Sequence, residues 1–487
     1  MVRFANSWTS IGGGHYNRVY NAWGRISGGY QNYENSYQGS IVGGRANYLY
    51  GASHSSIGGG VYNYVYSYAA TVHGGQLNSV YGSWSTAGGG YSNAVYSSYT
   101  LIAGGYDNWV ASTSTAIEGG YQNKAYGSHS TIRGGRSNTI VGVAYALIGG
   151  GYSNFAYSYS STIGGGMYNA VSGSWSAIGG GYGNHVRYAW GSIRGGEANQ
   201  QYNEATLVGG GYANFAAGYH STVVGGWANT VYGSYSTVAG GESNIIYSSH
   251  SHITGGLDNM VHGYSAVAHG GTYNSAYGYQ SSITGGHKNR VYAHWSSVTG
   301  GYYNSAKAES AKVTGGLSNL AAGAWSLVTG GNSNKAYGYA SAINGGVSNS
   351  VYSSWSKIIG GNSNKAYYKF TSIGGGYVNY AYGYASGIVG GYLNSVFTSY
   401  TFIGGGSYNK LYASYTTISG GTYNTIYSYS GSITGGTSNT VKSSWGRIGG
   451  GSSNIVKDDF TSIIGGYDNL ADLEWSSVGG GAYNWAV

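Results

Sequence analysis

The five-residue string Gly-Gly-x-x-Asn recurs 32 times in this chain, almost always 15 residues apart. It begins at Gly13-Gly14-His15-Tyr16-Asn17 and ends at Gly480-Gly481-Ala482-Tyr483-Asn484. Only the steps Asn47 to Asn63 and Asn138 to Asn154 are one residue longer. A period held over the whole length selects a solenoid, in which each coil packs only on its neighbours, over a set of globular domains. The expectation is an all-β parallel solenoid (a β-roll) of about 32 coils with two short strands each. It should run as a single continuous solenoid over residues 1–487 with no distinct capping domain.

Glycine is abundant, at 94 residues, but it sits at fixed turn positions, and 41% of the chain is hydrophobic, which argues against disorder. Cysteine is absent, so neither a disulfide framework nor a thiolate metal site can form. Charged residues make up 7% of the chain, with a formal net charge of +8. Arg18, Lys124, Arg290, Lys335, Lys365 and Lys410 follow ladder asparagines, but never in consecutive coils. They do not track the aromatic rows, so nucleic acid is not an expected partner. The opening Met1-Val2-Arg3-Phe4-Ala5-Asn6 has no basic-then-apolar signal pattern, and no apolar run is long enough to span a bilayer. Membrane insertion is therefore not expected.

With the ladder asparagine as position 1, the consensus is Asn-x-Val/Ala-Tyr-Gly/Ser-Ser-aromatic-Ser-x-Ile/Val-x-Gly-Gly-Tyr-x. Position 3 is aliphatic apart from Glu34 and Gln201, and position 10 is Ile or Val apart from Ala87 and Ala268. Positions 1 and 3, and again 8, 10 and 12, have strand parity. This predicts two strands and two turns per coil, one turn near positions 5–6 and one at Gly-Gly-x-x. The aliphatic ladders of positions 3 and 10 should face each other, and small residues at position 8 should let the sheets close. The added residues in Gly51-Ala52-Ser53-His54 and Gly142-Val143-Ala144-Tyr145 fall at the first turn. At about 4.8 Å per stacked strand the coils would make a rod roughly 150 Å long.

The invariant asparagines (Asn17, Asn32, Asn47, Asn63, Asn78, Asn93, Asn108, Asn123 and onward) read as a structural amide ladder that ties neighbouring turns together. Glycosylation would need Ser or Thr at position 3, which is aliphatic instead. Ten of the 13 tryptophans occupy position 7: Trp8, Trp23, Trp84, Trp175, Trp190, Trp295, Trp325, Trp355, Trp445 and Trp475. Where position 7 is small, position 6 is often Tyr, as in Tyr68-Ala69 and Tyr339-Ala340. A second row at position 4 includes Tyr50, Tyr66, Tyr81 and Tyr96, and later Tyr337, Tyr352, Tyr367 and Tyr382. Its parity is opposite to position 3, so it should point outward. Such a stripe can be buried between chains, stack flat ligands such as sugars, or stack on itself.

The skeleton Asn-x-Ala-x-Gly-x-x-Ser-x-Ile-x-Gly, seen in Asn123-Lys124-Ala125-Tyr126-Gly127-Ser128-His129-Ser130-Thr131-Ile132-Arg133-Gly134 and again from Asn334 to Gly345, resembles the YadA-like head repeat of trimeric autotransporter adhesins and some phage fibres. The likeness covers essentially the whole chain. The usual repeat is one residue shorter, and the second Gly of Gly-Gly looks like the insertion. The resemblance implies a left-handed parallel β-roll, three chains side by side, displayed at the cell surface, outside the cell or on a virion fibre.

Val2 to Ile11 is already in register, with Phe4 at position 3, and the last residues, Trp485-Ala486-Val487, lie mid-coil. Open strand edges template further pairing, so end-to-end stacking into filaments is one expectation and a longer parent chain the other. Chemistry is sparse: 13 acidic residues, the pair Asp458-Asp459, and single aspartates Asp107, Asp258 and Asp468 before ladder asparagines. These suit turns better than a catalytic dyad or a calcium repeat. His250 and His252, with His262 and His269 one coil on, could hold a transition metal but lack a recurring carboxylate. No catalytic residue, cofactor or metal is therefore expected. The leading expectation is a non-enzymatic extracellular fibre whose partner is itself, as a trimer or a filament. The alternative is an adhesin head or phage tail-fibre shaft that meets a glycan or cell-surface ligand through exposed Tyr and Trp.

Overall fold

The computed structural model describes residues 8–51, 53–142 and 144–487. Over these residues the chain is all-β, with 64 short strands, nearly all of two residues, and no helix. It is a parallel β-solenoid of about 32 coils, roughly 15 residues and two strands per coil. Strands occupy positions 2–3 and 9–10, as in Ser79–Val80 and Thr86–Ala87. The chain divides into two compact units, residues 1–243 and 244–487. In the first, Ser79 and Val80 pair with Ala94 and Val95, and Thr86 and Ala87 with Leu101 and Ile102. In the second, Lys335 and Ala336 pair with Ser350 and Val351, and Ala342 and Ile343 with Lys357 and Ile358.

Two features depart from the sequence expectation. The first turn is centred on positions 6–7, one residue later than expected. The Gly-Gly side also carries a third ladder of single parallel bridges at position 14, such as Tyr91 to Tyr106 to Tyr121 and Tyr377 to Tyr392.

Backbone hydrogen bonding explains the shape of the coil. Positions 2, 4, 9, 11 and 14 donate forward: Ser79 N–H to Asn93 O (2.8 Å), Tyr81 to Val95 (2.7 Å), Thr86 to Thr100 (2.9 Å), Gly88 to Ile102 (2.7 Å) and Tyr91 to Gly105 (2.9 Å). Positions 7 and 15 donate backward, Trp84 N–H to Tyr68 O (3.0 Å) and Ser92 to Gln76 (2.9 Å). These two positions hold left-handed residues, with φ of 57° at both Trp84 and Ser92. The left-handed conformation turns the peptide over, so that its N–H meets the preceding coil. The glycine pattern in the sequence does not mark these positions, which other residues fill. The missed signal is the near-absence of β-branched residues at positions 7 and 15, where Val378 (φ 56°) is the one exception among the described residues.

The second Gly of each pair is required twice over. Gly376 has φ of 87°, and a Cβ there would overlap the carbonyl oxygen of Gly391 and lie 2.6 Å from Asn379 Nδ2. The first Gly has open space in most coils, as at Gly375.

The core is a thin double ladder of fully buried side chains, Val95, Val110 and Ala125 at position 3 and Ile102, Ile117 and Ile132 at position 10. Burying each Val or Ile contributes about 1.5–3 kcal/mol. The exceptions Glu34, Gln201, Ala87 and Ala268 are buried too. Room for the two long polar ones comes from glycine at position 8: a Cβ on Gly24 or Gly39 would overlap Glu34, and one on Gly191 would lie 2.6 Å from the Gln201 amide carbon. Both one-residue insertions are absorbed between the two strands of a coil, since Ser40 pairs with Ser56 and Tyr48 with Tyr64, and likewise Thr131 with Leu147 and Thr139 with Phe155, each sixteen apart. Ala52 and Val143 themselves, like Phe4 and the rest of residues 1–7, lie outside the described residues.

Candidate functional site

Two kinds of repeated side chain stand out: a polar ladder inside the coil and aromatic rows outside it. Inside, Asn93 is typical. Its Oδ1 accepts from Asn108 N–H (3.0 Å), and its Nδ2 donates to Gly89 O (2.8 Å) and Gly105 O (3.0 Å). Its own N–H meets Asn78 Oδ1 at 3.0 Å. The same pattern links Asn17, Asn32, Asn47, Asn63, Asn78, Asn108 and Asn123 in turn. The position 1 N–H finds a side-chain amide where the strand offers no carbonyl. Only a short side chain with two donors and an acceptor can serve all three groups, which accounts for the invariance of asparagine.

A second ladder went unread in the sequence. Position 8 looked merely small, yet Ser85 Oγ donates to Ser97 O (2.8 Å) and accepts from Thr100 N–H (3.0 Å). Ser356 does the same toward Tyr368 O (2.7 Å) and Thr371 N–H (3.1 Å). The ladder is intermittent, for the buried hydroxyls of Ser161 and Ser221 have no partner.

Outside, the position 4 rings form columns. In the first unit Tyr66, Tyr81 and Tyr96 stack at 4.9 Å with interplanar angles of 2° and 10°. Tyr50 leans on Tyr66 at 50°, and Tyr96 passes the stack to Trp109. In the second unit Tyr337, Tyr352, Tyr367, Tyr382, Phe397, Tyr412 and Tyr427 form an unbroken column with spacings of 4.4–5.4 Å and angles under 10°. Tyr352 is still 42% exposed, so stacking covers the ring faces and leaves the outer edges bare. Partial burial, then neighbouring phenols, pushes the pKa of Tyr66 upward.

The position 7 row is more exposed and less regular. Trp175 and Trp190 stack at 5.7 Å, and Trp445 and Trp475 sandwich Phe460. Trp84 and Trp355 meet Tyr68 and Tyr339 edge-on at 5.3 and 5.5 Å, so the position 6 tyrosines serve the corner ring of the next coil. Trp23 faces Trp8, and Trp295 Nε1 donates to Gln280 Oε1 at 2.7 Å. Trp325 is 60% exposed, and Trp475 70%.

Sequence reasoning missed two further groups of rings. Position 14 carries the stack Tyr91, Tyr106 and Tyr121 at 4.9 Å. Position 2 supplies Tyr33, Tyr48 and Tyr64, which with Tyr50 and Tyr66 line an apolar cleft of about 420 Å³. The signal was the Tyr of Gly-Gly-Tyr, read only as a turn residue.

The charged candidates disperse. His262 is sandwiched between Tyr247 and Tyr277 at 4.4 and 4.8 Å, while His250 sits at the corner beside Tyr264. His252 feels His269, and burial first, then that neighbour, lowers its pKa. No cluster of three metal-ligating side chains occurs among the described residues. Asp107, Asp258 and Asp468 hold left-handed corners at φ 52–55°. Asp459 accepts from Ser444 N–H at 2.8 Å, which makes it a turn cap. No helix among the described residues is long and apolar enough to cross a membrane.

No protein-family model matches the chain, and no curated protein sequence matches it.

Proposed function

We propose that this protein is a non-enzymatic structural fibre protein that works outside the cell and associates with copies of itself through its aromatic rows. The observation that carries the reading is the seven-ring column from Tyr337 to Tyr427, stacked along its faces and bare at its edges. Inside the coil, every invariant group serves its neighbours. The surface is where the coils differ, and there large rings dominate. Exposed rings at this density favour burial against another chain.

The resemblance to the YadA-like head repeat supports three chains side by side and a place at the cell surface or on a virion. In that arrangement the position 4 columns would meet at the chain–chain contact. Analytical ultracentrifugation and electron microscopy of the purified chain, beside a Tyr337→Ser/Tyr352→Ser/Tyr367→Ser variant, test the reading. The unaltered chain should form trimers or filaments and the variant should disperse. Single, unassociated chains at working concentration would overturn it.

A further inference from the structure

One concave patch in the second unit has a chemistry unlike the aromatic rows. Between the coils of Asn289 and Asn304 lies a cleft of about 250 Å³, lined by Lys288, Arg290, Tyr292, Tyr303, Ser305 and Lys307 along with Asn304. Three of these side chains are cationic and none is acidic. They converge because positions 15, 2 and 4 of adjacent coils share one edge of the sheet, with Arg290 paired directly to Ser305. The position 4 stack of Tyr247, His262, Tyr277 and Tyr292 ends here, and Lys307 takes the next place in the row.

The cations are not neutralised by the protein. Among the described residues the ion pair is Lys457 with Asp472, and Glu309, two residues beyond Lys307, does not line the cleft. Lys288 Nζ instead donates to Tyr303 Oη at 2.9 Å, and that bond, more than any other cause, draws the phenol below its ordinary pKa. Ser305 Oγ lies buried beneath the cations, without a hydrogen-bond partner. Three like charges gathered on one edge of the sheet repel one another until an anion joins them. An oxyanion there gains charge-assisted bonds, bidentate from the guanidinium. The face of a sugar ring, rich in C–H bonds, fits against the exposed Tyr292 ring beside them.

We propose that this cleft binds an acidic polysaccharide, seating a carboxylate or sulfate among Lys288, Arg290 and Lys307 with the sugar ring against Tyr292. Binding here and self-association are separable, because the column from Tyr337 to Tyr427 takes no part in the cleft.

The test is calorimetry on the full chain with heparin (sulfated), polygalacturonate (carboxylated), dextran (neutral), sodium sulfate and a single-stranded oligonucleotide. At least one acidic glycan should bind saturably and dextran should not, and comparing heparin with polygalacturonate identifies the anion. Lys288→Ala/Arg290→Ala/Lys307→Ala should weaken that binding on the order of tenfold or more. Lys312→Ala/Lys357→Ala/Lys410→Ala removes equal charge from exposed sites elsewhere and should leave it unchanged. Tyr292→Ser should weaken glycan binding and spare sulfate. Equal loss in both triple variants would reduce the effect to the general attraction of a chain of net charge +8 and overturn the proposal. Binding of sulfate alone, or tighter binding of the oligonucleotide than of either glycan, would also overturn it.

Discussion

Asn364 shows what one invariant side chain does for two coils. Its Nδ2 donates to Gly360 O (3.1 Å) and Gly376 O (3.0 Å), and its Oδ1 accepts from Asn379 N–H (2.9 Å). Asn364→Ala leaves Gly360 O and Asn379 N–H without partners at the Gly-Gly turn, while Gly376 O keeps Asn362 N–H at 2.9 Å. The expected cost is roughly 2 kcal/mol or more, since each buried unpaired group costs about 1–3 kcal/mol. Denaturant unfolding of the variant checks this. Glu34 is the opposite case, a polar residue the core does not need. Its Oε1 accepts from Ser36 N–H at 2.7 Å, while Oε2 is buried without a partner. Burial, partly offset by that bond, pushes the carboxyl from 4.5 up to about 8. Between those values the folded chain keeps a proton that the unfolded chain has released. Stability is therefore greatest below about pH 4.5 and falls as pH rises toward 8. Glu34→Gln should remove that fall, read as hydrogen exchange at residues 33–50 between pH 5 and pH 9; an unchanged pH profile would refute it. Val378 holds a β-branched side chain at φ 56°. Val378→Gly should stabilise the chain by about 1 kcal/mol, measured as a shift in denaturation midpoint.

At the scale of the coil, the corner at positions 6–7 is the element to test. Trp355 sits there at φ 61°, 56% exposed, touching Tyr339 edge-on. A left-handed non-glycine residue costs about 1–2 kcal/mol, and one edge contact returns about 0.5–1.5 kcal/mol. Trp355→Gly should therefore leave stability within about 1 kcal/mol of the parent by thermal unfolding. The corner ring of Trp355 therefore adds little net stability to its own chain. The coil was largely legible in the sequence: the parity of positions 1, 3, 8 and 10 gave both strands, and Gly-Gly gave one turn. The turn at positions 6–7 came out one residue late because its φ is set by the direction of an N–H bond, which residue type scarcely records. The hydroxyl ladder was invisible for a similar reason. Ser85 and Ala70 look alike as small residues, and only stacking shows that Ser55 Oγ accepts from Ala70 N–H at 3.2 Å.

For the whole molecule, each coil borrows its partners from the coils on either side, so damage should stay local. Gly376→Ala sets a Cβ against the carbonyl of Gly391. Native-state hydrogen exchange should show protection lost around residues 361–396 and kept at residues 79–125; uniform loss would mean that the coils unfold as one. The sequence by itself determined the coil count, the parallel stacking, the aliphatic double ladder and the outward Tyr row, because a strict period makes every coil meet a copy of itself. It also pointed to the amide ladder, because only asparagine held position 1 through every repeat. What the tertiary structure alone decided was which outward residues become neighbours. The Tyr33 cleft joins positions 2 and 4 of successive coils, and the meeting of Lys288, Arg290 and Lys307 joins positions 15, 2 and 4. Lys288 and Arg290 stand two residues apart in the sequence, but Lys307 belongs to the next coil and joins them only once the coils stack in register.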